Sequence, residues 1–142
     1  MASVGIYLNF SNQAEEAFHF YKSVFGGEFS AFTRFSDMPS QEGAPPMPEE
    51  VAKGILHVAL PILGGFQLMG SDAPESMGFN VHFGNNNYIC LTPDSKEETK
   101  RLFEGLSAGG KVEQELQDTF WGSYFGTCFD KFGVQWMFDI AN

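Results

Sequence analysis

Cysteine is scarce in this chain: only Cys90 and Cys128 occur, with no CxxC and no histidine beside either at zinc-site spacing. A disulfide framework and a structural zinc site are therefore unsupported, and a reducing, cytoplasmic compartment is expected. Basic residues are few as well. Eight Lys and Arg face 18 Asp and Glu, a formal net charge of −10, so the chain repels a phosphate backbone, and neither nucleic acid nor an anionic membrane is an expected partner. Long hydrophobic runs are missing too. MASVGIYLNF has no positive region before its apolar residues, and the most apolar stretch, 54–70, is broken by His57, Pro61, Gly64, Gly65 and Gln67. Neither a signal peptide nor a membrane span is read there.

What the chain does have is apolar bulk. Hydrophobic residues make up 43% of its 142 positions and 16 are Phe, a length and composition that bury a sizeable core. VGIYLNF (4–10) reads as a strand. From Asn12 the apolar residues Ala14, Ala17, Phe18, Tyr21, Val24 and Phe25 recur at steps of three and four, which predicts a helix near 13–25 with Asn12 and Glu15 as its capping pair and Gly26-Gly27 as its stop. EFSAFTRF (28–35) reads as a strand, and 36–53, with four of the seven prolines, as a long mobile loop without regular structure. ILHVAL (55–60) and FQLMGS (66–71) read as a hairpin around Gly64-Gly65.

The order β-α-β-β-β then recurs. YICLT (88–92) is a strand, Asp94 and Glu97 are a capping pair, and a helix near 95–107 turns Thr99, Leu102, Phe103 and Leu106 to one side. KVEQEL (111–116), SYFGTCF (123–129) and VQWMFDI (134–140) complete the unit. A shift of 82 places Glu15, Glu16, Phe20, Tyr21 and Val24 on Glu97, Glu98, Leu102, Phe103 and Leu106, a weak internal repeat. The expectation is an α+β chain: one domain of two tandem βαβββ modules, 1–72 and 79–142, with an extra short strand at 79–83.

YLNFSNQAEEAFHFYKSVFGGEF, FSDMP at 35–39, LMGSDAP at 68–74 and GGKVEQELQDTFWGSYFG…DKFGVQWMFDI together resemble, over nearly the whole chain, the PhnB-like group of the vicinal oxygen chelate superfamily. That superfamily includes glyoxalases, bleomycin-resistance proteins and extradiol dioxygenases. The resemblance implies two curved sheets around a cleft with helices on the convex side, and a homodimer. It implies function less closely, since isomerisation, dioxygenation, thiol addition and ligand sequestration share this scaffold. Some relatives carry a ubiquinone-methyltransferase label, but no strand here leads into a Gly-rich turn opening a helix, so a methyltransferase is not expected.

In metal-dependent relatives the ligands are His or Glu from the first and last strands of each module. The matched positions here are Ile6 or Tyr7, Tyr88 or Ile89, Gln67 and Met137. None is a His or a carboxylate, so no metal ligand and no cofactor is assigned, and a divalent metal would need a non-standard position. His57 alternates with Leu56, Val58 and Leu60 and so shares a face with Ile55 and Ala59. It is either a core histidine satisfied by a backbone group or a cleft residue that acts as a base near neutral pH. Gln67, on the face of Met69 and Ser71, lines a cleft or faces solvent. Asn9 poses the same choice, with a local turn bond near Ser11 and Asn12 as the plain explanation. Cys90, on the side of Tyr88, and Cys128 read as small core residues, because no base or positive charge stands beside them. His19 belongs to a polar helix face and His82 to a surface loop. Phe120, Trp121, Tyr124 and Phe125, beside Gly122 and Gly126, wall a ligand cleft or a dimer contact, whereas Trp136 and Phe138 face a helix.

The ligand-binding candidates are thus Tyr7, Asn9, His57, Gln67, Tyr88, Cys90, Trp121 and Met137, with His57 the one catalytic candidate. Three functions fit: a small-molecule-binding protein with an aromatic cleft and no metal in the usual site; a lyase or isomerase using His57 or a relocated metal site; and a dimeric protein-interaction module.

Overall fold

The computed structural model describes residues 2–142, which fall into two compact units, 2–81 and 82–142. Each unit is a four-stranded open mixed sheet with a twelve-residue helix against it. The first contains β1 (Ile6–Phe10), α1 (Ala14–Phe25), β2 (Ala31–Arg34), a single helical turn α2 (Glu49–Ala52), β3 (Ile55–Pro61) and β4 (Gln67–Asp72). Its strand order is β1-β4-β3-β2, with β1 and β4 parallel and the other pairs antiparallel. The second contains β5 (Ile89–Leu91), α3 (Lys96–Ser107), β6 (Lys111–Asp118), β7 (Ser123–Phe129) and β8 (Gln135–Ala141), in the equivalent order β5-β8-β7-β6. Two βαβββ modules are present.

The helices α1 and α3 begin 82 residues apart, at Ala14 and Lys96, whereas β3 and β7 begin only 68 apart, at Ile55 and Ser123. The difference sits between β2 and β3, where the first unit carries the proline-rich loop and the second has a tight β6–β7 turn. That loop is not wholly irregular. Phe35–Asp37 forms a 3₁₀ turn, and Pro48 starts α2 with Glu49 and Glu50 in its first turn, where acidic side chains complement the helix dipole. No strand forms at 79–83: its apolar alternation has no neighbouring strand to pair with.

Both helices bury the stripe read from their spacing. In α1 Ala14, Ala17, Phe18, Tyr21 and Val24 are buried, and in α3 Thr99, Leu102, Phe103 and Leu106. Burying a side chain such as Leu102 contributes about 2 kcal/mol. Phe18 sits over Gly70 of β4, where an added Cβ would stand 2.7 Å from the ring and 2.6 Å from the Leu8 carbonyl. Only glycine lets the helix approach that strand so closely.

The caps differ from the sequence expectation. Asn12 does not cap α1; it adopts a left-handed φ of 64°, and Gln13 at the N-cap makes no side-chain bond. Instead Asp72, at the end of β4, accepts the Ala14 N–H at 2.9 Å with one oxygen and the Ile55 N–H at 2.9 Å with the other. Glu15 is taken by Arg34 through paired bonds of 2.9 and 2.7 Å, and that guanidinium holds its carboxyl below the usual range. In α3 the cap is Ser95 rather than Asp94, its hydroxyl accepting the Glu98 N–H at 3.1 Å.

Candidate functional site

One face of each sheet is covered by its helix, so strand alternation sends the other set of side chains to the open face. In β1 and β4, Leu68, Gly70 and Phe10 are buried while Tyr7, Asn9, Gln67, Met69 and Ser71 lie open or half-buried. The register puts Tyr7 beside Met69 and Asn9 beside Ser71, then Met69 beside Ala59. His57 continues this face on β3, opposite Thr33.

Ile55 does not share that face, contrary to the simple alternation. The β2–β3 register shifts between Thr33 and Arg34, so that Ile55 pairs with Arg34 and is fully buried. A bulge adds one residue and turns the strand by one face.

Tyr7, 47% exposed, lies across β4 to reach His57: its hydroxyl is 3.1 Å from Nδ1 and the rings stack at 5.6 Å. With the Nε2–H tautomer of a neutral imidazole the phenol donates. Ser30 donates to Gln67 Oε1 at 2.8 Å and Ser71 to Asn9 Oδ1 at 3.1 Å. Four of the candidates, Tyr7, Asn9, His57 and Gln67, therefore share one polar face.

The second sheet has a corresponding face. Cys90, Met137 and Thr127 form one row across β5, β8 and β7. Tyr88, just before β5, donates its hydroxyl to Glu113 Oε1 of β6 at 2.6 Å, and Thr127 donates to the same oxygen at 2.9 Å. Because β5 and β6 are the two edges of this sheet, Tyr88 straps the whole open face. The bond from Tyr88, with a second from Thr127, holds Glu113 below the ordinary carboxylate range, and the same bond, with burial, raises the Tyr88 phenol. The pair is thus a carboxylate and a neutral phenol at neutral pH. Glu113, Thr127, Gln135 and Asp139 were not singled out from the sequence. β6 carries Glu113 and Glu115 two positions apart, so only the bonds made in the fold distinguish them.

Cys90 is exposed on this face rather than in the core, while Cys128 is buried as expected. Burial pushes the Cys128 thiol up to about 12, with Asp130 and Glu113 adding, and burial followed by the Asp139 charge raises Cys90. Neither is an activated nucleophile. Maleimide under native conditions is expected to label Cys90 slowly and Cys128 only after unfolding. Peptide mass spectrometry would read this, and equal labelling of both in the folded protein would contradict it.

Trp121, 58% exposed, stands at the β6–β7 turn with Phe120, which is 98% exposed, and packs edge-on against Phe120 and Phe125. Trp136 and Phe138 are fully buried, with Phe138 edge-on to Phe103 of α3. His82 is exposed, and His19 sits on α1 beside Glu15 at 3.7 Å. The proline-rich loop encloses a pocket of about 410 Å³ lined by Phe35, Met38, Pro39, Pro46, Met47 and Ala52 among others.

The residues at the metal positions of the wider superfamily do not fit a hard divalent ion. The register sets Met69 beside Tyr7 and Cys90 beside Met137, so the donors are phenols, thioethers, an amide and a protonated thiol. Among the described residues no three His, Cys, Asp or Glu side chains converge as a metal site would need.

The fold has counterparts. A family model for the glyoxalase/bleomycin resistance protein/dioxygenase superfamily matches residues 6–138. Protein YjdN of Escherichia coli strain K12 is 34% identical over 140 residues, 95% of this chain and 92% of that protein. The crystal structure of protein PA1353 from Pseudomonas aeruginosa is 34% identical with a TM-score of 0.83, covering 99% of this chain and 98% of that one. A protein from Bacillus cereus described as a putative 3-demethylubiquinone-9 3-methyltransferase, PhnB protein, is 26% identical with a TM-score of 0.74, covering 99% and 100%. The chain belongs to the glyoxalase/bleomycin resistance/dioxygenase superfamily, also called vicinal oxygen chelate, and PhnB-like proteins are among its structural neighbours.

Proposed function

We propose that this protein binds a small organic molecule on the open faces of its sheets, without a metal at the positions the superfamily commonly uses. The observation that carries the reading is the segregation in the first unit. Tyr7, Asn9, His57 and Gln67 come from three strands to one face and bond to Ser30, Ser71 and each other, while the core on the opposite face uses none of them. A face with a few placed polar groups among Met69, Ala59 and an aromatic ring fixes orientation and supplies apolar contact. The reading includes a cytoplasmic homodimer, with exposed Phe120 and Trp121 as available contact surface.

Native mass spectrometry of the purified protein, alone and with a panel of small organic compounds, tests this. A retained or added ligand is expected on each protomer, with no metal required. Met69→Trp, which fills the face from a half-buried position, is expected to weaken such a ligand by about tenfold or more while leaving the melting temperature nearly unchanged. Affinity unaffected by that substitution would place the ligand elsewhere.

The Tyr7–His57 contact favours one second reading, a lyase or isomerase in which His57 moves a proton and Tyr7 orients the ring. His57→Gln would then abolish turnover while binding stays within about threefold. Binding without turnover in the parent protein sinks this second reading.

A further inference from the structure

The second sheet carries two polar atoms that its own fold leaves unmet. Among the described residues, Gln135 Nε2 and Asp139 Oδ1 are the buried side-chain nitrogen and oxygen atoms without a hydrogen-bond partner. Gln135 is only 4% exposed. Such groups cost about 1–3 kcal/mol each when left unpaired, and the rest of this unit meets its needs: Asp130, Thr127 and Thr99 are each bonded. Both orphans lie on β8, and their positions, four apart, put them on one face with Met137 between them. That is the face strapped by Tyr88.

We propose that this face holds a linear amine bearing a carboxamide or similar neutral carbonyl, the carbonyl oxygen accepting from Gln135 Nε2 and the ammonium donating to Asp139 Oδ1. The inference rests on the small-molecule reading above and gives the ligand its chemistry. The two ends differ in what they require. At the Gln135 end the free group is a donor, so the ligand brings an acceptor. Tyr88 and Glu113 stand at the same end, since the Gln135 amide lies toward the Tyr88 hydroxyl, which is bonded to Glu113. The Glu113 carboxylate repels an anionic acceptor and leaves a neutral carbonyl as the fitting one. At the Asp139 end the free group is a carboxylate oxygen, and a cationic donor satisfies it best. Their Cα atoms are about 13 Å apart at strand rise. Met137, with Cys90 and Thr127 in its row, offers a mostly apolar middle for an aliphatic chain.

The probe is ε-aminocaproamide, compared with caproamide, which lacks the amine, and ε-aminocaproate, which replaces the amide by a carboxylate. Titration is followed at the Gln135 side-chain amide by nitrogen-proton NMR, with the first unit's resonances as an internal reference. ε-Aminocaproamide is expected to shift the Gln135 signal with millimolar affinity, about tenfold more tightly than either analogue. Asp139→Asn should erase the preference over caproamide and Glu113→Gln the preference over ε-aminocaproate, both read at the Gln135 signal. Gln135→Leu should leave the empty protein's melting temperature unchanged or higher, since it removes an unmet donor. A Gln135 signal that does not move, or moves equally with all three probes, overturns the ligand class without needing any variant. If other compounds still bind on the first unit's face, small-molecule binding stands and only this assignment falls.

Discussion

Replacing Asp130 with Ala is expected to destabilise the second unit by about 4 kcal/mol. Asp130 is 3% exposed and works in two directions at once. One oxygen accepts the N–H groups of Phe132 and Val134 at 2.8 and 3.1 Å, closing the Asp130-Lys-Phe-Gly133 turn, and the other accepts Trp136 Nε1 at 2.9 Å. Hydrogen bonds to a charged group contribute about 1.5–3 kcal/mol each and are not additive, and truncation leaves buried Trp136 and Val134 donors unmet. Asp130→Asn keeps one acceptor but brings an amide against one of the donors, so about half the loss is expected. Urea unfolding followed by tryptophan fluorescence measures both. An Ala variant within about 1 kcal/mol of the parent would show that water replaces the carboxylate freely.

Asp72→Ala is expected to cost about 3 kcal/mol in the first unit. Its carboxylate is 5% exposed and joins three elements, β4 itself, the first turn of α1 through Ala14, and the start of β3 through Ile55. Truncation takes from both amides the carboxylate they donate to, and the helix also loses a negative charge at its positive end. Hydrogen exchange should quicken at Ala14 and Ile55 ahead of the centre of α1. Unchanged exchange at both amides would refute the cap.

Much of this architecture was legible because it repeats in patterns a single strand or helix can express. The apolar spacing of α1 and α3 and the polar-apolar alternation of β1 and β4 are properties of neighbouring residues. Long-range devices left no such trace. Asp72 caps a helix 58 residues away, so Asn12, the local candidate, was preferred. A shift in the β2–β3 register moved Ile55 off the His57 face, which no period-two reading anticipates. Glu113 sat two residues from Glu115 and Asp139 alone as an acid in a mostly apolar strand, and the two became distinctive only through Tyr88, Thr127 and a burial without partners. Cys90 read as core because small apolar residues in strands usually are, yet its strand is at a sheet edge with one face uncovered.

The unlike caps of the two helices bear on the sequence of events during folding. Ser95 lies next to α3, so that helix can nucleate its first turn as soon as residues 95–98 meet, on the microsecond scale of a local helix. α1 has no such device, because its capping carboxylate arrives only when β4 has docked across a loop of 58 residues. The repeat in sequence therefore hides an expected asymmetry in time, with α3 forming early and α1 late. Mutations in the first turn of α3 should slow refolding, whereas those in the first turn of α1 should chiefly quicken unfolding.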